Sequence, residues 1–171
     1  MVETKNTVFN LEGLTDRQKI VFKREAGKSL TDSVSVLGEF YRIKPPFVKQ
    51  YEEQIYFAVL CLACKYEDSD KKIKPLEQII RLAREAGIKS GEASDGTSSM
   101  DRRIDKLMSS SIADGTNLFL HKLTRIITLC DRNIKDVQID FDSLYRDLIH
   151  WDSDSKFVQR KWASAIYRNQ Q

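Results

Sequence analysis

Apolar positions recur at intervals of three and four along most of the chain, a spacing that predicts amphipathic helices. Thr15-Asp16-Arg17-Gln18 has the form of a capping box, after which Ile20, Val21 and Phe22 open an apolar face and Gly27 is placed to end the helix in a left-handed cap. A second helix is predicted over about 31–41, with Val34, Leu37 and Tyr41 on one stripe. Pro45-Pro46 stops it, because neither residue can donate a backbone hydrogen bond. From about 49 to 66 apolar residues are so dense that both sides of the helix must be covered, which makes it the central one. A charged bend over 68–74 leads to a helix at 75–86, where Pro75 suits the first turn, Leu76, Ile79, Ile80 and Ala83 make the buried stripe, and Gly87 closes the element. Residues 89–99 hold Ser, Gly, Asp and Thr without apolar periodicity and read as a flexible loop. Helices follow over 100–110, 115–130, 140–151 and 155–167, the third opening at an Asp140 N-cap. The expected fold is therefore all-α, a compact helical bundle of about eight helices in two lobes, 1–88 and 100–171, joined by the 89–99 loop. No internal repeat or heptad run interrupts this pattern.

Composition supports that reading and narrows it. A chain of 171 residues can bury enough surface to fold without staples, and seven Gly and three Pro are too few for the turns of a strand-rich protein. The first 13 residues lack the apolar core of a secretory signal and no run reaches membrane-spanning length, so the expected compartment is the cytoplasm. Three cysteines without paired spacing fit reduced thiols there. A net charge of +3, from 28 basic and 25 acidic residues, produces no broad attractive field. Any hold on a polyanion must come from local clusters.

Candidate catalytic and metal constellations fail on spacing. Gly27-Lys28-Ser29 ends like a phosphate-binding loop, but Phe22 stands where the first glycine belongs and the preceding segment is helical. Cys61-Leu62-Ala63-Cys64 lies inside an apolar helix with no second pair for zinc, so packing is the better account. His121 and His150 have no His or Cys at ligand spacing, and His150 suits a capping or surface role. Asp140 and Asp142 sit at a helix start, where the backbone dipole stabilises negative charge. Trp151 and Trp162 fall in amphipathic segments and are expected in the core rather than as stacking platforms, and Tyr41 is expected to anchor its helix near the proline bend. No catalytic group, metal or cofactor is expected.

The basic residues make a stronger case, because their spacing builds surfaces. Three pairs, Lys23-Arg24, Arg102-Arg103 and Arg160-Lys161, each sit in a stretch of helical spacing. Lys106 lies three and four residues after the second pair, so those cationic heads can converge while Ile104 and Leu107 face the core. On the next helix Phe119, Leu123, Ile126 and Cys130 form the buried stripe, leaving His121, Lys122 and Arg125 to extend the same clamp. Against this, Asp101 and Asp105 are placed to neutralise part of the first cluster, and exposed charges are ordinary on any surface.

The order of these blocks resembles one known family. Phe22-Lys23-Arg24-Glu25-Ala26-Gly27, Phe40-Tyr41-Arg42 before Pro45, Met100-Asp101-Arg102-Arg103-Ile104, and Leu148-Ile149-His150-Trp151 with Val158-Gln159-Arg160-Lys161-Trp162-Ala163 together resemble the CasB family, the small subunit of the type I-E CRISPR surveillance complex, Cascade. The resemblance runs from about Thr15 to Tyr167. It implies an all-helical, noncatalytic protein that pairs with a second copy of itself beside the backbone and large subunits of a CRISPR RNA ribonucleoprotein. It also implies a basic surface that stabilises the opened target DNA, with one strand paired to the guide and the other displaced. By position, the family's basic residues fall on Lys23, Arg24, Arg42, Arg102, Arg103, Lys122, Arg160 and Lys161, to which the spacing argument adds Lys106 and Arg125. The chain departs from the family at Ser109, Ser110, Ser111 and Ile112, where other members often carry arginines. A free-standing helical protein-interaction or DNA-binding module is the alternative, although no short glycine-containing turn precedes a basic recognition helix. A hydrolase built from scattered His and Asp residues ranks third.

Overall fold

The computed structural model describes residues 8–89 and 99–168. Among these, helices α1 (Asp16–Arg24), α2 (Leu37–Ile43) and α3 (Glu53–Tyr66) precede strand β1 (Lys72–Lys74) and helix α4 (Leu76–Lys89). Then come α5 (Ser99–Met108), α6 (Thr116–Asn133), strand β2 (Val137–Ile139), α7 (Phe141–Ile149) and α8 (Phe157–Tyr167). Short 3-10 turns occupy Leu11–Gly13, Val34–Val36 and Gln50–Glu52. The protein is predominantly helical, as its periodicity predicts.

The capping box forms as read: Gln18 N donates to Thr15 Oγ1 at 3.2 Å and Thr15 N to Gln18 Oε1 at 3.0 Å. Phe22 is fully buried, whereas Ile20 is half-exposed. Gly27 has φ +89°, and a Cβ there would lie 3.3 Å from Thr124 Oγ1 on α6. Both the conformation and the close approach of α6 call for glycine. Helix α3 is central: Tyr56, Phe57, Ala58, Val59, Leu60, Cys61, Leu62 and Ala63 are all buried, with α1 and α7 packed on it. Helix α4 packs on α6 and α8, and α5 lies on α6, so one hydrophobic core joins residues on both sides of 90–98.

Four local expectations are corrected. The second helix begins at Leu37 behind a 3-10 turn, and its inward residues are Val36 and Phe40, while Val34 is 68% and Tyr41 52% exposed. The turn rotates the chain by about 120° per residue rather than 100°, which shifts the stripe out of phase. Tyr41 is anchored at its tip instead, its hydroxyl donating to Glu53 Oε2 at 2.7 Å. Gly87 lies inside α4, which continues to Lys89, since a helical glycine costs only about 1 kcal/mol. The charged bend contains β1, paired in parallel with β2 through Lys72↔Val137, Ile73↔Gln138 and Lys74↔Ile139. Beyond its end residues, the expected 89–99 loop lies outside the described residues; Lys89 and Ser99 themselves are helical.

Trp151 and Trp162 are buried edge to face, ring centroids 5.3 Å apart. Their indole N–H groups are satisfied, Trp151 Nε1 by Ser110 O at 2.9 Å and Trp162 Nε1 by Asp147 Oδ2 at 2.7 Å. Cys61 and Cys130 are buried and Cys64 partly so, all three free. Burial pushes the Cys64 thiol up to about 11 and that of Cys130 to about 12, away from reactive thiolate character. No helix among the described residues is long and apolar enough to cross a membrane.

Candidate nucleic-acid interface

The seam between α5 and α6 follows from their buried stripes. Met100, Ile104 and Leu107 on α5 and Phe119, Leu123, Ile126 and Cys130 on α6 turn inward, so residues flanking those stripes meet along the outer edge of the contact. A cavity of about 230 Å³ lies there, lined by Ser99, Arg102, Arg103, Lys106, His121, Lys122 and Arg125. No carboxylate among the described residues lines it. Arg103 donates through Nη1 to the hydroxyl and carbonyl of Ser99, and Lys122 Nζ donates to Ser110 Oγ at 2.7 Å. Both partners are neutral, so the two cations keep their net charge.

Asp101, expected to neutralise this cluster, points elsewhere. It is buried, and Oδ1 accepts from Arg84 Nε at 2.7 Å, while the Arg84 guanidinium lies 4.8 Å from the Tyr167 ring centroid. That contact ties α5 to α4 and α8. Asp105 is exposed and borders a neighbouring cavity. The turn between α5 and α6 is also fixed from a distance: Asp152 accepts from Ile112 N at 3.1 Å and Ala113 N at 2.9 Å, beside the Trp151 contact to Ser110. No spacing signal in the sequence announces these partners, which lie 39 to 41 residues away.

Of the ten basic positions expected to meet nucleic acid, Arg102, Arg103, Lys106, Lys122 and Arg125 line the cavity and the other five do not. Lys23 and Arg24 are exposed in the last turn of α1, where positive charge complements the helix dipole. Arg42, its side chain 73% exposed, donates to Glu39 Oε1 at 2.9 Å. Arg160 is exposed on α8. Lys161 is held by Asp147, the carboxylate that also takes the Trp162 indole, with Glu77 Oε1 3.9 Å away.

The remaining polar candidates have structural partners. Asp140 Oδ1 accepts from Ser143 N at 3.1 Å as the N-cap of α7. Asp142 Oδ1 accepts from Val8 N and Phe9 N at 3.0 and 3.1 Å, and burial raises its carboxyl above the usual range. His150 is exposed at the C-cap of α7, its ring 5.7 Å from Phe157. Among the described residues no group of three or more His, Cys, Asp or Glu could hold a metal ion.

Residues 21–167 match the model of the family described as CRISPR-associated protein Cse2. The chain belongs to the CasB/Cse2 family. Solved structures carry the same fold. CasB from M. ruber superposes with a TM-score of 0.63 at 20% identity, over 92% of this chain and 87% of that one. A chain from a CRISPR RNA-guided surveillance complex gives a TM-score of 0.63 at 21% identity, over 90% and 83%. A search of curated proteins finds no match. The Cse2 family match spans α5 and α6 in full, so the basic cavity lies within the part of the chain that defines its membership.

Proposed function

We propose that this Cse2-family protein is the small, noncatalytic subunit of a type I-E CRISPR RNA-guided surveillance complex, Cascade, and that its α5–α6 cavity holds phosphates of the opened DNA target. Family membership and a related chain found in such a complex support the first part. The second rests on one observation: five Lys and Arg side chains converge on a cavity that no carboxylate among the described residues lines. Cations so placed displace counterions from phosphates and bind a strand without reading its sequence, which is left to guide and target pairing. Within the complex the chain pairs with a second copy of itself and lies beside the backbone and large subunits. There, tethering raises the local concentration of strand, and a contact that is weak alone becomes effective. The exposed Lys23 and Arg24 of α1 and Arg160 of α8 are then available to continue the track or to meet neighbouring protein.

Co-purification with a short RNA and larger protein partners tests the assignment to a complex; a chain that purifies alone under conditions where such partners are expressed counts against it. Arg102→Ala with Arg103→Ala tests the cavity. The assembled variant is expected to form normally and to release opened target DNA sooner, and unchanged retention would remove the phosphate-binding role.

A further inference from the structure

A second cavity, of about 470 Å³, adjoins the basic one, and the two share Lys106 and Lys122. Its lining differs in kind. Asp105 and Asp114 add carboxylates to the lining, Ser109 and Ser111 bring hydroxyls, and Leu118 brings an apolar side chain from a residue 61% exposed. The Ser109 and Ser110 hydroxyls donate to the carbonyls of Asp105 at 2.7 Å and Lys106 at 2.6 Å, so Ser109 Oγ retains acceptor capacity, while Ser110 Oγ already accepts from Lys122 Nζ. A chamber that adds carboxylate and hydroxyl acceptors thus stands beside one lined mainly by cationic donors. The turn that forms its wall is fixed in advance by Trp151 and Asp152, which leaves little ordering to be done when a ligand arrives.

Size separates the chambers further. The larger falls within the range of small-molecule sites, about 300–1,000 Å³, and the smaller lies below it. The smaller suits a phosphate group rather than a nucleoside. A nucleotide has the matching polarity: its phosphate only accepts hydrogen bonds, while its base presents N–H donors and an apolar face.

We propose that the paired chambers hold one unpaired nucleotide of a single strand, its phosphate among the arginines and lysines and its sugar and base in the serine-lined chamber. This rests on the phosphate-binding reading above. Lys106 and Lys122 mark the junction between the two halves of the ligand. The base lies against Leu118 with its N–H groups toward Asp105 and Asp114. In duplex DNA those N–H groups are committed to the opposite strand and the base is stacked, so the serine-lined chamber stays empty. The site therefore favours single strands over duplex.

Ser109→Leu and Ser111→Phe each fill the serine-lined chamber without changing a charge. Ser109 is an exposed position near the end of α5, so its variant keeps the test valid should Ser111→Phe fail to fold. The readout is binding of one labelled DNA sequence, as a single strand and as a duplex, to the full chain and to its complex over a series of salt concentrations. Folded variants are expected to bind the single strand about tenfold more weakly, the scale of contacts with one base, with duplex affinity and salt slope unchanged. Undiminished single-strand affinity in a folded variant overturns the nucleotide chamber and leaves the phosphate reading standing. An equal loss for single strand and duplex also overturns it. Absence of salt-dependent binding by wild type, alone and assembled, overturns both readings.

Discussion

Removing cations from the α5–α6 cavity should lower the salt dependence of strand binding by a definable step. Lys106 and Arg125 are the informative pair: each is exposed, they stand on different helices, and neither forms an ion pair with a described residue. Each phosphate of a single strand neutralised by a cation contributes about 0.7 to the slope of log affinity against log salt. With about four phosphates engaged the slope is near 3, and affinity falls about 60-fold between 50 and 200 mM salt. Lys106→Ala with Arg125→Ala removes about two contacts, which leaves a slope near 1.5 and a fall of about eightfold. Fluorescence anisotropy of a labelled strand on the assembled complex measures both slopes. Lys161→Ala is the control, because Asp147 already holds that ammonium. An unchanged slope in the double variant, or an equal drop in the control, would refute the assignment of phosphate contact to this cavity.

The remaining predictions concern stability. Asp147→Ala strands the buried Trp162 indole N–H and removes the carboxylate beside the half-exposed Lys161 ammonium, costing about 2–3 kcal/mol and roughly 5–10 °C in Tm, whereas Asp147→Asn keeps an acceptor and should cost about half as much by thermal circular dichroism. Gly27→Ala forces a side chain into φ +89° and against Thr124, costing about 1–2 kcal/mol; a variant as stable as wild type would show that the turn can relax. Burial raises the Glu77 carboxyl above its ordinary value, with its own backbone amide and Lys161 opposing. Below about pH 4.3 the group is neutral in both folded and unfolded chains, and stability is lost as pH rises through the raised folded value. The Tm of Glu77→Gln relative to wild type should therefore increase between pH 4 and pH 7, and a decrease would contradict that sign.

What the sequence made legible depends on how far apart the interacting groups stand. The apolar run of α3 admits one arrangement, a helix covered on both sides, and that is the one found. The convergence of Arg102, Arg103 and Lys106 was equally readable, because spacings of three and four fix neighbours within a single helix. The seam with α6 followed from the two buried stripes, since the residues beside them meet when the stripes do. By contrast, a 3-10 turn three residues long undid the stripe assigned to Val34 and Tyr41, and strands of three residues carry too few positions to show alternation. The fate of charge was least legible. Asp101 and Asp105 look alike in sequence, yet one is buried against Arg84, 17 residues away, and the other stays exposed. Lys161 looks like its neighbour Arg160 until Asp147 is seen beneath it, 14 residues back. A cation contributes to a polyanion site only if no carboxylate holds it already. The α5–α6 cavity emerges as the candidate interface because no carboxylate among the described residues lines it, Asp101 being turned toward Arg84 on another helix.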